Sequence, residues 1–248
     1  TISWAINITN TIKANIKAVL FDLDGTLIDT APDFIRIIKV MCAKHHHPCP
    51  TDAAIREQVS AGARAMVKLM FGDELAKVAD DDPKLLAYRQ EFLDTYEADI
   101  CVDSQLFAGL DALLLSLEAR HIPWGIVTNK PRYLAEILLD KLSLTQRCSV
   151  LVCPEDVQHT KPDPEPMFLA VSKLNDQFDL AFSAENCVYV GDHIRDIQAG
   201  NAAHMPTILA SYGYIPPEDK HNLANWGAQV VVADSHELHR CIADCLAI

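Results

Sequence analysis

The sequence is poor in residues that break regular structure and in residues that carry positive charge. Glycine supplies 9 and proline 13 of 248 residues, too few for a low-complexity or disordered chain. Lysine and arginine number 21 against 34 aspartates and glutamates, a net charge of −13. Such an acidic surface repels nucleic-acid backbone and anionic lipid, so neither is an expected partner. It also repels phosphorylated small molecules, so a site for one needs a local cationic pocket. No glycine-rich loop ending in Lys-Ser or Lys-Thr follows a strand candidate, and no GxGxxG does; both absences argue against nucleotide-binding folds of those kinds. No apolar run is long enough to span a membrane. The first residues lack a basic start followed by an apolar core, so a cytoplasmic location is expected. The eight cysteines form no CxxC pair, and several lie in apolar stretches, as Cys187 does before Val188-Tyr189-Val190; they read as buried reduced thiols. Cys241 and Cys245, one helical turn apart, lack histidine partners for a metal.

Apolar residues make up 50% of the chain, ample for a sizeable core, and the length suits one large domain or a core with an insertion. Short apolar runs alternate with amphipathic stretches. Ala18–Phe21, Trp124–Val127, Val150–Val152, Val188–Val190, Thr207–Leu209 and Val230–Val232 read as strands apolar on both faces, hence a parallel sheet covered on both sides. Between them Pro131–Leu142, Pro164–Leu174 and Ile194–Ala203 read as helices, and right-handed crossovers give a doubly wound α/β fold. One stretch breaks the alternation. Roughly a hundred residues separate the first two strands, far beyond an ordinary crossover, and most of them read as helix: Pro32–His45, Asp52–Ser60, Ala63–Phe71 and Pro83–Asp99. The expected organisation is an extension over 1–16, a core over 17–31 and 104–248, and a small inserted helical cap over 32–103. The cap leaves and rejoins the sheet at the strands' carboxyl ends, where such folds bind ligands, and so is placed to act as a lid.

Four clusters sit at strand ends. Asp22 and Asp24 follow the first strand and flank a turn at Gly25, so both can face one site; paired carboxylates suit a hard cation, and one can serve as a nucleophile. Two turn or capping aspartates would look the same. Thr128-Asn129-Lys130-Pro131 offers a hydroxyl and backbone N–H groups to phosphate, or a plain helix cap. Lys161, in Thr160-Lys161-Pro162, can reach a phosphate as a point charge, although a lone lysine is ordinarily a surface residue. Asp192 can complete a metal shell and Asp196 lies one turn on, facing the same way; acids favoured by a helix N-terminus are the plain alternative. His193 reads as an exposed position of no special role. His45-His46-His47 lacks a carboxylate partner at useful spacing and reads as a solvated helix end.

Together and in this order, the clusters resemble the haloacid dehalogenase superfamily of phosphatases over Ala18 to Val232, with an HAD-like Rossmannoid core. Phe21-Asp22-Leu23-Asp24-Gly25-Thr26-Leu27 is similar to its first motif, Val127-Thr128-Asn129 to the second, Lys161-Pro162 to the third and Gly191-Asp192-His193-Ile194-Arg195-Asp196 to the fourth. The resemblance implies a Mg²⁺-dependent phosphomonoester hydrolase acting on a small-molecule phosphate ester. Asp22 would be the nucleophile. Asp24 would protonate the leaving group and then activate water. Asp22, the Asp24 backbone carbonyl and Asp192 would hold Mg²⁺, with Asp196 behind them, and Thr128, Asn129 and Lys161 would hold the phosphoryl group. Within the superfamily the sequence resembles the phosphoglycolate phosphatase branch. The stretches 62–67, 124–131 and 225–228 are similar to N-acetylmuramic acid 6-phosphate phosphatases of cell-wall recycling. Both substrates carry a carboxylate, with which Arg64 could form a bidentate pair; a solvated helix arginine is the plain alternative. A sugar phosphomutase and a non-catalytic binding protein on the same scaffold remain open. A dehalogenase is disfavoured by Asp24. No oligomeric state follows from the sequence.

Overall fold

The computed structural model describes residues 15–246, so most of the extension expected over 1–16 lies outside the described residues. Among these, a six-stranded parallel sheet has the order β5-β4-β1-β6-β7-β8. Its strands are β1 (Ala18–Phe21), β4 (Trp124–Val127), β5 (Val150–Val152), β6 (Cys187–Gly191), β7 (Thr207–Ala210) and β8 (Val230–Val232). Strand order reverses at β1, which lies between β4 and β6. An open α/β sheet has its ligand crevice at that switch point, beyond the carboxyl ends of the strands.

The alternation of side chains along β1 explains the layering. Val19 and Phe21 enter one core, and Ala18 and Leu20 enter the other. The first core takes α5 (Leu110–Ala119), α6 (Arg132–Lys141) and α9 (Ser235–Leu246). The second takes α7 (Glu165–Phe178) and α8 (Ile194–Ala202). Leu110, Leu113, Leu114 and Leu117 of α5 are fully buried on one face, and each contributes roughly 1.5–3 kcal/mol by leaving water.

An antiparallel ribbon of β2 (Ile28–Asp29) and β3 (Gln105–Leu106) brackets the helical insertion. Inside it lie α1 (Ala31–Lys44), α2 (Asp52–Glu57), a 3₁₀ turn at Val59–Ala61, α3 (Ala63–Phe71) and α4 (Pro83–Ala98). Phe34 of α1 packs at a tilt against the stacked rings of Phe92 and Tyr96 of α4, and their core is continuous with that of the sheet. Thr30 is the N-cap residue of α1, yet its hydroxyl makes no cap hydrogen bond and turns instead to Asp24 Oδ1 at 2.7 Å.

The histidine run differs from its expected character. His45 is half-buried, lies edge-on to Phe71 and Tyr88, and meets Glu91 at 2.9 Å. Glu91 stands on α4, far away in sequence, which is why local spacing gave no sign of a carboxylate partner. None of the described cysteines is in a disulfide; Cys42, Cys153 and Cys187 are buried and Cys49 is exposed. Among the described residues no helix is long and apolar enough to cross a membrane.

Gly125 lets β4 and β5 approach. A Cβ there would lie 2.3 Å from Val150 Cγ1 and 2.8 Å from the Val150 carbonyl oxygen. Because that second obstacle is backbone, Gly125→Ala is expected to cost about 1–3 kcal/mol, seen as a lower urea midpoint; an unchanged midpoint would contradict this packing.

Candidate active site

β1 ends at Phe21, and Asp22 continues its ladder by donating its backbone N–H to the Val190 carbonyl at 2.8 Å. β6 ends next door at Gly191, so Asp192 follows immediately. The carboxylates of Asp22, Asp192 and Asp196 each offer an oxygen within 4.8 Å of the others, and all three residues are buried. Gly25, at φ +84°, takes the chain around the site; a Cβ on it would sit 2.3 Å from Asp192 Oδ2. Glycine is therefore required there twice over, by conformation and by space.

A buried ammonium balances part of this charge. Lys161 Nζ donates to Asp196 Oδ1 at 2.7 Å and to Asp22 Oδ1 at 2.9 Å, and also contacts the Tyr189 hydroxyl and the Val127 carbonyl. Burial alone would raise the Asp196 carboxyl, but Lys161 overrides it and holds that group below its ordinary value. Burial opposes the charge on Lys161, and Asp196 and Asp22 more than offset it. Asp22 is pushed up to about 6 by burial, with Lys161 pulling against it. Asp192 is pushed up to about 8 by burial and by the charges of Asp22 and Asp196. Its oxygens accept from the Thr26 hydroxyl (3.2 Å), the Ser60 hydroxyl (2.7 Å) and the Tyr214 backbone N–H (2.7 Å). Asp22 and Asp192 thus present oxygen donors short of positive charge, the donor chemistry a hard divalent cation requires.

Asp24 points elsewhere. Its Oδ1 accepts from Thr30 at 2.7 Å and from Lys130 Nζ at 3.0 Å. Only its backbone carbonyl faces the acidic cluster, 3.3 Å from the Ser60 hydroxyl that also reaches Asp192. Asp22, Asp24, Thr128, Asn129 and Arg64 all line one cavity of about 530 Å³ between the insertion and the sheet. Lys161 lies behind Asp22 and does not line it. Asn129 Nδ2 donates to the Lys161 carbonyl at 3.0 Å, and Thr128 Oγ1 accepts from the Lys130 backbone N–H. Arg64 stands at the exposed rim, 3.4 Å from Asp80.

His193 is not the plain exposed position expected. It is the N-cap of α8, where its Nδ1 accepts from the Arg195 backbone N–H, and burial with the neighbouring Arg195 charge lowers it to about 4. Three residues given no role from sequence belong to the site. Lys130 is buried between Asp24, the Tyr96 hydroxyl (3.1 Å) and the rings of Phe34 and Tyr96. Ser60 joins the insertion to Asp192, and Arg195 donates to the Ser60 carbonyl. Lys130 and Arg195 sit inside the Thr128–Pro131 and Gly191–Asp196 clusters, the one signal available; Ser60 meets its partners through tertiary contact alone.

The profile of one family, described as haloacid dehalogenase-like hydrolase, matches residues 19–210. The chain belongs to this family. It is 44% identical to the N-acetylmuramic acid 6-phosphate phosphatase of Pseudomonas aeruginosa, over 94% of this chain and 99% of the relative. It is 40% identical to a phosphoglycolate phosphatase of Xanthomonas campestris pv. campestris, over 90% of this chain and 94% of the relative. By these relationships it is an enzyme of the phosphatase kind. The crystal structure of a hydrolase from Pseudomonas syringae shares the fold at a TM-score of 0.67 and 22% identity, covering 92% of this chain and 98% of that one.

The acidic cluster makes stability depend on pH. Between the ordinary carboxylate range and pH 8 the unfolded chain ionises Asp192 while the folded one keeps it protonated, so without a cation stability falls as pH rises through that window. A divalent cation reverses this by favouring the ionised pair. Mg²⁺ is expected to raise the melting temperature more at pH 8 than at pH 5, with a gain near 2.7 kcal/mol at about a hundred times its Kd. In Asp192→Asn that gain should vanish. A pH-independent shift, or one that survives the substitution, would count against cation binding here.

Proposed function

We propose that this phosphatase is a Mg²⁺-dependent phosphomonoester hydrolase working through an aspartyl phosphate on Asp22, with a small carboxylated phosphate ester as substrate. The observation that carries the reading is the placement of Asp22: it opens on the cavity, its Oδ1 is held from behind by Lys161, and Asp192 stands beside it. In the first step a carboxylate oxygen of Asp22 attacks phosphorus. The ester P–O bond breaks, and Asp24 gives its proton to the departing alkoxide. In the second step Asp24, now a carboxylate, takes a proton from water as that water attacks phosphorus, which releases phosphate and regenerates Asp22. Thr30 and Lys130 hold the Asp24 side chain in place. Thr128 and Asn129 border the same space, and Asn129 also fixes the backbone of Lys161.

Asp22, Asp192 and the Asp24 backbone carbonyl would hold the Mg²⁺. When bound, Mg²⁺ supplies the charge that lets a carboxylate and a phosphate approach one another. The helical segment over 32–103 serves as a cap: through Ser60, Phe34, Phe92 and Tyr96 it forms the far wall of the cavity.

Two carboxylated esters follow from the relatives, 2-phosphoglycolate and N-acetylmuramic acid 6-phosphate. The cavity of about 530 Å³ supports the larger. It falls in the roughly 300–1,000 Å³ range of sites for ligands of ring size and above, and a two-carbon ester would leave most of it to water.

The test is a panel of phosphate esters with and without Mg²⁺, including both compounds and simple hexose phosphates. Phosphate release should require Mg²⁺ and be fastest on N-acetylmuramic acid 6-phosphate, with no sugar isomer among the products. Asp22→Asn should lose at least about 10³-fold in kcat. Release that survives chelation, or a variant that retains its rate, would contradict the mechanism.

A further inference from the structure

The cavity holds three guanidinium groups, and they are not equivalent. Arg64 is half neutralised by Asp80, which Lys68 also reaches at 3.0 Å. Arg195 is tied to the Ser60 carbonyl. Arg89 lines the cavity yet makes no hydrogen bond or ion pair with any described residue. In a chain with 34 acids against 21 bases, an arginine left without a carboxylate on a cavity wall calls for an explanation.

The helix that carries it gives the scale. Arg89, Phe92, Leu93 and Tyr96 of α4 all face the cavity, the i, i+3, i+4, i+7 spacing of one helical stripe. The stripe is graded. Tyr96, at one end, accepts through its hydroxyl from Lys130 Nζ, which holds Asp24. Phe92 and Leu93 supply an apolar middle. Arg89, at the other end, lies two turns away, about 10 Å along the axis.

We propose that Arg89 is the receptor for a second anionic group of the substrate, a carboxylate carried on the far side of a sugar-sized leaving group. This rests on the phosphomonoesterase reading and gives it a ruler. The reacting phosphate sits at Asp22 beside Asp24, an apolar ring face lies along Phe92 and Leu93, and the distal carboxylate meets the Arg89 fork, which suits bidentate pairing. A two-carbon ester keeps its carboxylate next to the phosphate and has no ring to lie along Phe92 and Leu93 on the way to Arg89. Arg89, rather than Arg64, is then the specificity-determining residue, because it pairs with substrate without first giving up an internal acid.

N-acetylglucosamine 6-phosphate and N-acetylmuramic acid 6-phosphate form a matched pair that differs by one carboxylated ether. The measurement is kcat/KM on both, with Mg²⁺, for the wild type and for Arg89→Ala, Arg89→Lys and Arg64→Ala. The wild type should favour the carboxylated ester. Arg89→Ala should cut that preference by about 30-fold, chiefly through KM, as loss of one charge-assisted pair does. Arg89→Lys should restore part of it, and Arg64→Ala should change it less than Arg89→Ala. Equal losses on both esters in Arg89→Ala, or a collapse of the preference in Arg64→Ala alone, would overturn the assignment while leaving the phosphatase reading intact. A wild type that releases phosphate from no ester would overturn both.

Discussion

The site depends on one buried ion cluster, the ammonium of Lys161 set between Asp22 and Asp196. Three carboxylates lie within 4.8 Å of one another. At that range two unit charges repel by about 3.5 kcal/mol even at an effective dielectric of 20. Lys161 meets two of them below 3 Å, and its remaining contacts, to Tyr189 and Val127, leave the ammonium fully satisfied. Removal of one partner from such a cluster is costly, because the others stay buried and uncompensated. The same cluster aims Asp22. With Oδ1 held from behind, the carboxylate is fixed toward the cavity and its orientation is settled before any substrate arrives.

The sheet brings these groups together by topology. β1 lies at the switch point, with β4 and β6 on its two sides, so the residues after three neighbouring strands converge: Asp22 after β1, Thr128 and Asn129 after β4, Asp192 after β6. Lys161 enters from the loop before α7 and Asp196 from the first turn of α8, both beneath the cavity floor. The insertion adds the roof. Besides the apolar core it shares with the sheet, it meets the floor through polar contacts: Ser60 to Asp192, Arg195 to the Ser60 carbonyl, and Lys130 to both Asp24 and Tyr96. Three side chains, Ser60, Arg195 and Lys130, thus tie the roof to the floor.

Much of the floor was legible in the sequence because its signals are local. Ala18–Phe21, Trp124–Val127, Val150–Val152 and Val230–Val232 are continuous apolar runs of strand length, and the structure has strands with those bounds. Ala63–Phe71, bounded by glycines, is likewise a helix over the expected residues. The β2–β3 ribbon was not legible, since two residues per strand carry no periodicity. Nor was the role of His193, whose side chain becomes a helix cap only once α8 packs under β6. Lys130, Ser60, Arg195 and Arg89 share a deeper reason. Their roles come from partners brought near by the insertion folding over the sheet, and being inside a motif, as Lys130 and Arg195 are, does not tell a buried or cavity-facing cation from a solvated one.

The central claim is that phosphorus becomes bonded to Asp22 during turnover. Enzyme mixed with Mg²⁺ and substrate, quenched in acid within one turnover and reduced with borohydride, converts an aspartyl phosphate to homoserine. Peptide mapping should find homoserine at position 22 and at no other aspartate. Homoserine at another position, or none under conditions where phosphate is being released, would contradict the account.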